Sequence, residues 1–168
     1  MRMQRVRVAS VKRFVAHNAL YGNKQTGAAR FDVSIDGTFS WRFEDTIDEN
    51  VPAMRLRAQP IGEAACDSKI LRRFGGRRKL AMPLAHLFSF LPHAKKYEAY
   101  HFYIYDTRRE LHSVHLEYPL EDWDYESGES TGERWEFRAH EIDCMDTRID
   151  GYVVYPEYRY RTYTGDGQ

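Results

Sequence analysis

The sequence has few cysteines and no long apolar run. Its two cysteines, Cys66 and Cys144, do not form a C-x-x-C pair. We therefore expect reduced thiols in a cytoplasmic protein, although a single disulfide between them stays open. No segment approaches the roughly 18 apolar residues that a membrane helix needs. The basic start, MRMQRVRVAS, is not followed by the apolar run of a signal peptide. These absences predict a protein outside the membrane.

Catalytic and metal-binding motifs are also missing. The sequence contains neither a G-x-S-x-G elbow nor a phosphate-loop G-x-x-x-x-G-K-[ST] pattern, and neither cysteine has an adjacent histidine. The acidic stretch EDWDYESGESTGE, residues 121–133, approaches the spacing of a calcium loop, but its glycine comes one residue too late for the sharp turn. We therefore expect no metal and no cofactor.

Charge is abundant and is segregated along the chain. The 25 basic and 25 acidic residues cancel, but the successive blocks 1–30, 31–68, 69–109 and 110–150 carry +7, −5, +8 and −10. One interpretation is that basic and acidic segments neutralise each other in the fold. The other is a surface with a positive and a negative lobe, which would attract charged partners.

Alternating apolar residues predict an α+β domain, mainly an antiparallel β-sheet of about seven strands with one or two short helices. We expect a single globular domain over residues 1–168, with 164–168 as a flexible tail. Arginine alternates with apolar residues near 4–11 and 53–58, and both segments predict strands. Residues 82–92 have the i, i+3, i+4, i+7 apolar spacing of a short helix.

Two further segments carry turn or edge signals. The Asp36-Gly37 dipeptide lies between alternating apolar rows in residues 30–43, which predicts a β-hairpin. A bulge or a longer loop is needed to bring both rows to one face. Residues 151–163 predict a last strand, and Pro156 should confine it to an edge or a bulge.

Residues 97–120 predict a long hairpin that turns at 106–109. The expected register pairs Tyr103 with His112 and brings His101 and His112 diagonally onto one face. Two histidines there could begin a zinc or iron site, but no third ligand is identifiable. Together with a carboxylate, either histidine would support a small hydrolase, which is one alternative function.

The leading hypothesis is a non-enzymatic binding protein. A single domain without catalytic motifs and with charge in blocks suits an accessory protein, such as a phage or mobile-element inhibitor of a nucleic-acid-handling defence complex, or an immunity protein. The −10 block would contact a basic surface on a protein partner. The carboxylates expected to make this contact are Glu121, Asp122, Asp124, Glu126 and Glu129.

The other alternative is a nucleic-acid-binding module built on the basic segment SKILRRFGGRRKLAM, residues 68–82. Guanidinium groups hold phosphates, and tyrosines of the later YRYRTY stretch could stack on bases. The residues assigned to this role are Arg72, Arg73, Arg77, Arg78, Lys79, Tyr158 and Tyr160. The structural interpretation of the same segment is a short packed helix or strand that Gly75 ends, with solvated charges.

Overall fold

The computed structural model describes residues 2–22, 25, 31–118, 134–142 and 150–157. Within these ranges the chain forms ten strands and five helices. The strands are β1 (Gln4–Val8), β2 (Val11–Val15), β3 (Val33–Ile35), β4 (Ile47–Val51), β5 (Met54–Pro60), β6 (Ala81–Met82), β7 (Tyr100–Tyr105), β8 (Leu111–Glu117), β9 (Trp135–Glu141) and β10 (Tyr152–Pro156). The helices are α1 (Ala16–Tyr21), α2 (Gly37–Phe43), α3 (Asp67–Phe74), α4 (Arg77–Leu80) and α5 (Leu84–Phe90). The predicted tail, 164–168, lies outside the described residues.

One large mixed sheet dominates the fold. Its strand order is β1-β5-β10-β7-β8-β9-β3, and β6 pairs with β7 beside this path. The pairs β3–β9, β6–β7 and β7–β10 are parallel, and the others in this sheet are antiparallel. Strands β2 and β4 form a separate antiparallel pair. The predicted α+β class with a mainly antiparallel sheet is confirmed.

Both faces of the large sheet are covered by helices. One core lies between the sheet and the helices α1, α2 and α5, and it contains the fully buried rings of Phe39, Phe43, Phe88 and Phe102. The second core lies under α3 and α4 and is centred on Tyr103 and its neighbours. Strands β7 and β8 are buried on both faces, as expected for a central pair.

The predicted hairpin at Asp36-Gly37 is wrong, because residues 37–43 form helix α2. Asp36 caps this helix through its Oδ1 atom, which accepts a hydrogen bond from the Phe39 amide at 2.9 Å. Phe39 and Phe43 lie four positions apart, so a helix brings both rings to one buried face and leaves Trp41 exposed. The spacing of the aromatic residues fits both the two-residue period of a strand and the helical period. The hydrogen bond to the Asp36 side chain favours the helix.

The hairpin of β7 and β8 forms, but its predicted register is wrong by one residue. Tyr103 lies opposite Ser113, and His101 lies opposite His115. The turn contains an odd number of residues, with the Asp106 amide donating to the Glu110 carbonyl at 2.9 Å. Arg109 adopts a left-handed conformation (φ 65), which is typical of a three-residue hairpin loop. The expected diagonal pair of His101 and His112 is therefore absent, since they occupy opposite faces.

The predicted helix at 82–92 is confirmed as α5, with Pro83 at its N-cap.

The last described strand, β10, is central rather than at an edge, contrary to the prediction from Pro156. Its pairing with β7 covers only Tyr152 and Val153. Pro156, which has no amide hydrogen to donate, therefore lies beyond the part of β10 that pairs with β7. No helix in the described part of the chain is long and apolar enough to cross a membrane.

Candidate functional site

Four arginines form a compact group on β1 and β5. In the antiparallel register Arg5 lies opposite Arg57, and Arg7 lies opposite Arg55. The residues that alternate with them, such as Val6, point into the core under α5. The four guanidinium groups therefore project from the other face of the sheet. We call these four residues the arginine face.

One carboxylate lies among these cations. Glu157 follows β10, and its Oε1 atom accepts a short hydrogen bond from Arg57 Nη2. The same oxygen lies 3.5 Å from Arg5 Nε, and Oε2 lies 3.9 Å from Arg55 Nε. The hydrogen bond from Arg57 lowers the pKa of Glu157 and raises the pKa of Arg57. Within the described part of the chain, the arginine face thus has four positive charges and one adjacent negative charge.

Tyr155 connects the arginine face to α4. It lies opposite Arg57 in the pairing of β10 with β5, and its ring packs on Phe74 of α3 with the centroids 6.0 Å apart. The Lys79 ammonium group lies 5.7 Å from the centroid of the Tyr155 ring, close enough for a cation–π contact. The basic segment of the sequence is therefore a neighbour of the arginine face.

The basic segment forms α3, a Gly75-Gly76 turn and α4. The structural interpretation is confirmed, because the apolar residues of α3 are buried and Gly75 ends the helix in the left-handed region (φ 104). The described residues give the exposed cations of this segment no ionic partner. These cations are Arg72, Arg73, Arg77, Arg78 and Lys79.

Other predicted site residues lie outside the described residues. This applies to the tyrosines expected to stack on bases, Tyr158 and Tyr160, and to the carboxylates expected to meet a protein partner, Glu121, Asp122, Asp124, Glu126 and Glu129. Base stacking and the acidic partner surface therefore stay predictions. The thiol state of the two cysteines does too, because Cys144 is outside the described ranges.

His112 links three elements on the other side of the sheet. One ring nitrogen, Nε2, lies 3.0 Å from Asp106 Oδ2, and the other, Nδ1, accepts a hydrogen bond from Arg42 Nε at 3.1 Å. Because an arginine can only donate, His112 is the neutral tautomer with its proton on Nε2. Both nitrogens are occupied, and the side chain is 3 % exposed. This arrangement braces α2 against the β7–β8 turn and leaves no lone pair for general-base chemistry.

An acidic cleft of about 250 Å³ borders His112. Trp41, which is 70 % exposed, forms part of its wall. Asp106, Glu110 and His112 bring their ligand atoms within 4.8 Å of one another. A metal ion there would have to displace Arg42 or the Asp106 contact from the imidazole, so the cluster is poorly suited to one. The hydrolase alternative gains no support from this site.

A second polar cluster is buried between the sheet and α3. The carboxylate of Asp67 is 3 % exposed and accepts a hydrogen bond from Tyr103 Oη at 2.9 Å. His140 Nε2 lies 3.3 Å from its other oxygen. Burial raises the pKa of Asp67, but hydrogen bonds, chiefly from His140, outweigh it and lower the pKa. The cluster fixes the first turn of α3 to the sheet.

His101 and His115 stack beside this cluster. Their ring centroids are 4.5 Å apart, and the ring planes differ by 12°. His101 is 3 % exposed, and the Asp150 backbone is a polar group close enough to one of its nitrogens to raise its pKa. Burial holds the pKa of His101 well below its usual value and also lowers that of His115. Lone pairs of parallel rings do not converge on one point, so the pair does not form a metal site.

Sequence reasoning recognised the strands of the arginine face but not the face itself. Arginine alternates with apolar residues in both β1 and β5, which was the available signal. The pairing of β1 with β5 joins segments about 50 residues apart, and periodicity alone gives no information on such pairing. The comparisons add no functional information: no family model, no curated protein and no solved structure matches this chain.

Proposed function

We propose that the protein binds nucleic acid through the phosphate backbone, using the arginine face and the adjacent cations of α3 and α4. The observation that carries the proposal is the direct pairing of arginine with arginine at two alternate positions of β1 and β5, on one face of the sheet. This differs from the sequence-based alternative, which used the α3–α4 cations without the two strands.

Such an arrangement has a cost in the free protein. Like charges directly opposite each other across two strands destabilise the sheet, by about 0.2–1 kcal/mol per pair. Glu157 offsets part of this repulsion, but Arg7 has no ionic partner among the described residues. A bound polyanion would remove the repulsion, because each phosphate can accept bidentate hydrogen bonds from a guanidinium group.

Protection of a sheet edge is the main structural alternative. Edge strands commonly carry charged side chains that prevent pairing with another chain. This would account for Arg5 and Arg7 on the edge strand β1. It does not account for Arg55 and Arg57, because β5 is paired on both sides. The arginines of the interior strand therefore favour a ligand over edge protection.

The chemistry of the face favours the nucleic-acid backbone over the bases. Stacking on bases needs exposed aromatic rings, whereas Tyr155, the aromatic residue beside Arg57, is 4 % exposed. Contacts from guanidinium groups to phosphate oxygens position a protein without reading the sequence. We therefore expect binding that is independent of sequence and weakened by salt.

The test compares the variant Arg7→Gln/Arg55→Gln with the wild type for binding to a short labelled duplex at low salt. These two arginines face each other and are exposed, so their loss should leave the fold intact. The matched control is Lys95→Gln/Lys96→Gln, which removes two positive charges from exposed residues outside the arginine face. We expect at least about tenfold weaker binding for the arginine variant, from two lost phosphate contacts.

Equal weakening in the lysine control would mean that only net charge matters. No measurable binding by the wild type at low salt would exclude the proposal. In that case the acidic stretch and its protein partner would become the leading hypothesis, and capture of a basic partner should then depend on Asp122 and Asp124.

A further inference from the structure

Glu157 holds an unusual place in the arginine face. Its backbone amide donates to the Arg55 carbonyl at 2.7 Å, which extends the pairing of β10 with β5 by one residue. Its side chain then turns towards the cations, where one carboxylate contacts three arginines: Arg5, Arg55 and Arg57. The backbone is thus fixed by the sheet, and among the described residues the arginines alone hold the carboxylate.

A carboxylate in this position resembles one part of a phosphate group. Both are oxyanions that accept paired hydrogen bonds from guanidinium groups. Arg57 makes the close contact, whereas Arg5 Nε and Arg55 Nε lie at 3.5 and 3.9 Å, beyond ordinary hydrogen-bond length for a charged pair. Glu157 therefore attracts Arg5 and Arg55, but it does not occupy their hydrogen-bond donors.

The site is also accessible. The side chains of Arg5 and Arg55 are 53 % and 50 % exposed, and those of Arg57 and Glu157 are 27 % and 21 % exposed. An anion from solvent can reach the outer cations, Arg5 and Arg55, whereas Arg57 Nε and Glu157 Oε2 are buried until the glutamate moves. The glutamate side chain can rotate away, because no other hydrogen bond to its carboxylate is present among the described residues.

We propose that the three arginines around Glu157 form a phosphate seat, which its carboxylate occupies until a phosphate of the nucleic acid displaces it. The inference rests on the proposed function and adds an internal competitor to it. Glu157 then has two effects: it relieves repulsion between the arginines in the free protein, and it weakens binding of the ligand. Its removal should strengthen binding.

The test uses Glu157→Gln, which keeps the shape and a hydrogen-bond acceptor but removes the charge. The matched control is Glu49→Gln, since Glu49 forms an exposed pair with Arg13 on the separate β2–β4 sheet. We expect the Glu157 variant to bind a short duplex about tenfold more tightly at low salt, because no internal carboxylate competes for the arginines. The control should bind like the wild type.

A second readout does not need nucleic acid. Inorganic phosphate should raise the thermal midpoint of Glu157→Gln by more than that of the wild type, because a ligand stabilises the folded state that holds it. If Glu157→Gln does not fold, Glu157→Asp replaces it, since the shorter side chain withdraws the carboxylate from the seat.

The outcomes separate the two proposals. Unchanged or weaker duplex binding by the Glu157 variant, with Arg7→Gln/Arg55→Gln still impaired, would overturn the seat and leave the proposed function standing. If the wild type binds no duplex, the phosphate titration alone decides the seat: equal thermal shifts in the variant and the wild type would exclude it.

Discussion

The stacked pair of His101 and His115 should make the free energy of unfolding depend steeply on pH. Burial lowers the pKa of both imidazoles in the folded protein, whereas unfolded histidines have a pKa of about 6.5. As the pH falls below that value, the unfolded chain takes up protons that the folded protein does not. Stability is therefore complete above about pH 6.5 and is lost as the pH falls towards the folded pKa values.

The groups that face the pair do not reverse this expectation. Asp67 and the Asp150 backbone raise the pKa of His101, whereas His115 and His140 lower it. Around His115, the carboxylates of Glu117 and Asp150 raise the pKa and are opposed by Arg138 and His140. For both histidines burial is the largest cause, and the pKa is lowered.

The size of the effect follows from proton linkage. Each histidine that binds a proton only after unfolding lowers the free energy of unfolding by about 1.4 kcal/mol per pH unit. The two together give a fall of about 2.7 kcal/mol per pH unit once the unfolded residues are protonated. The variant His101→Phe keeps an aromatic ring against His115 and should lose about half of this slope. Burial also lowers the pKa of His86, but its contribution to the pH dependence is the same in the wild type and the variant.

The assay is urea denaturation at several pH values between about 7.5 and 5.5. The readout is the slope of the free energy of unfolding against pH, because replacement of a buried ring can shift stability at every pH through packing alone. Phe102→Leu is the control: Phe102 is fully buried on the same strand, and its loss should lower stability without changing the slope. An identical slope in His101→Phe and the wild type would refute the reasoning.

Two further predictions concern stability. Tyr103→Phe removes the hydroxyl that donates to Asp67 at 2.9 Å. It should lower the free energy of unfolding by about 1–3 kcal/mol, because a buried carboxylate loses a hydrogen-bond donor. A free energy of unfolding equal to that of the wild type in urea denaturation would contradict this role. Gly151→Ala should lower the free energy of unfolding by about 2 kcal/mol or more. Gly151 has φ 86, and an added Cβ would lie 2.4 Å from the Ala99 carbonyl oxygen. An unchanged thermal midpoint would contradict this strain.

The elements that the sequence predicted well are those with a single consistent period. Helix α5 has apolar residues at helical spacing between two prolines, and β7 and β8 have apolar groups on both faces, as a central pair requires. The segment 37–43 was ambiguous, because its aromatic residues recur at both two- and four-residue intervals. There the Asp36 cap, a local hydrogen bond, selects the helix.

The register error illustrates a different limit. Alternation fixes which residues share a face of one strand, but the loop fixes which residues meet across a hairpin. Arg109 in the left-handed region makes the loop three residues long, and no glycine or asparagine marks that position. The histidine pairing changed as a result, from His101 with His112 to His101 with His115.

The candidate site was predictable only in part. The α3–α4 cations were recognised from composition, since five of them follow within a few residues. The arginine face depends on the antiparallel pairing of β1 with β5 and on the approach of β10, which brings Glu157 to the same place. Such long-range pairings follow from the whole core and cannot be read from the periodicity of either strand.

The salt dependence of duplex binding tests the central claim most directly. The logarithm of the wild-type association constant should fall linearly with the logarithm of salt concentration, because each phosphate contact releases counterions. In Arg7→Gln/Arg55→Gln the slope should become shallower by about 1.8, the value for two lost contacts, while Lys95→Gln/Lys96→Gln should keep the wild-type slope. A wild-type slope near zero, or the same slope in the arginine variant, would contradict the account.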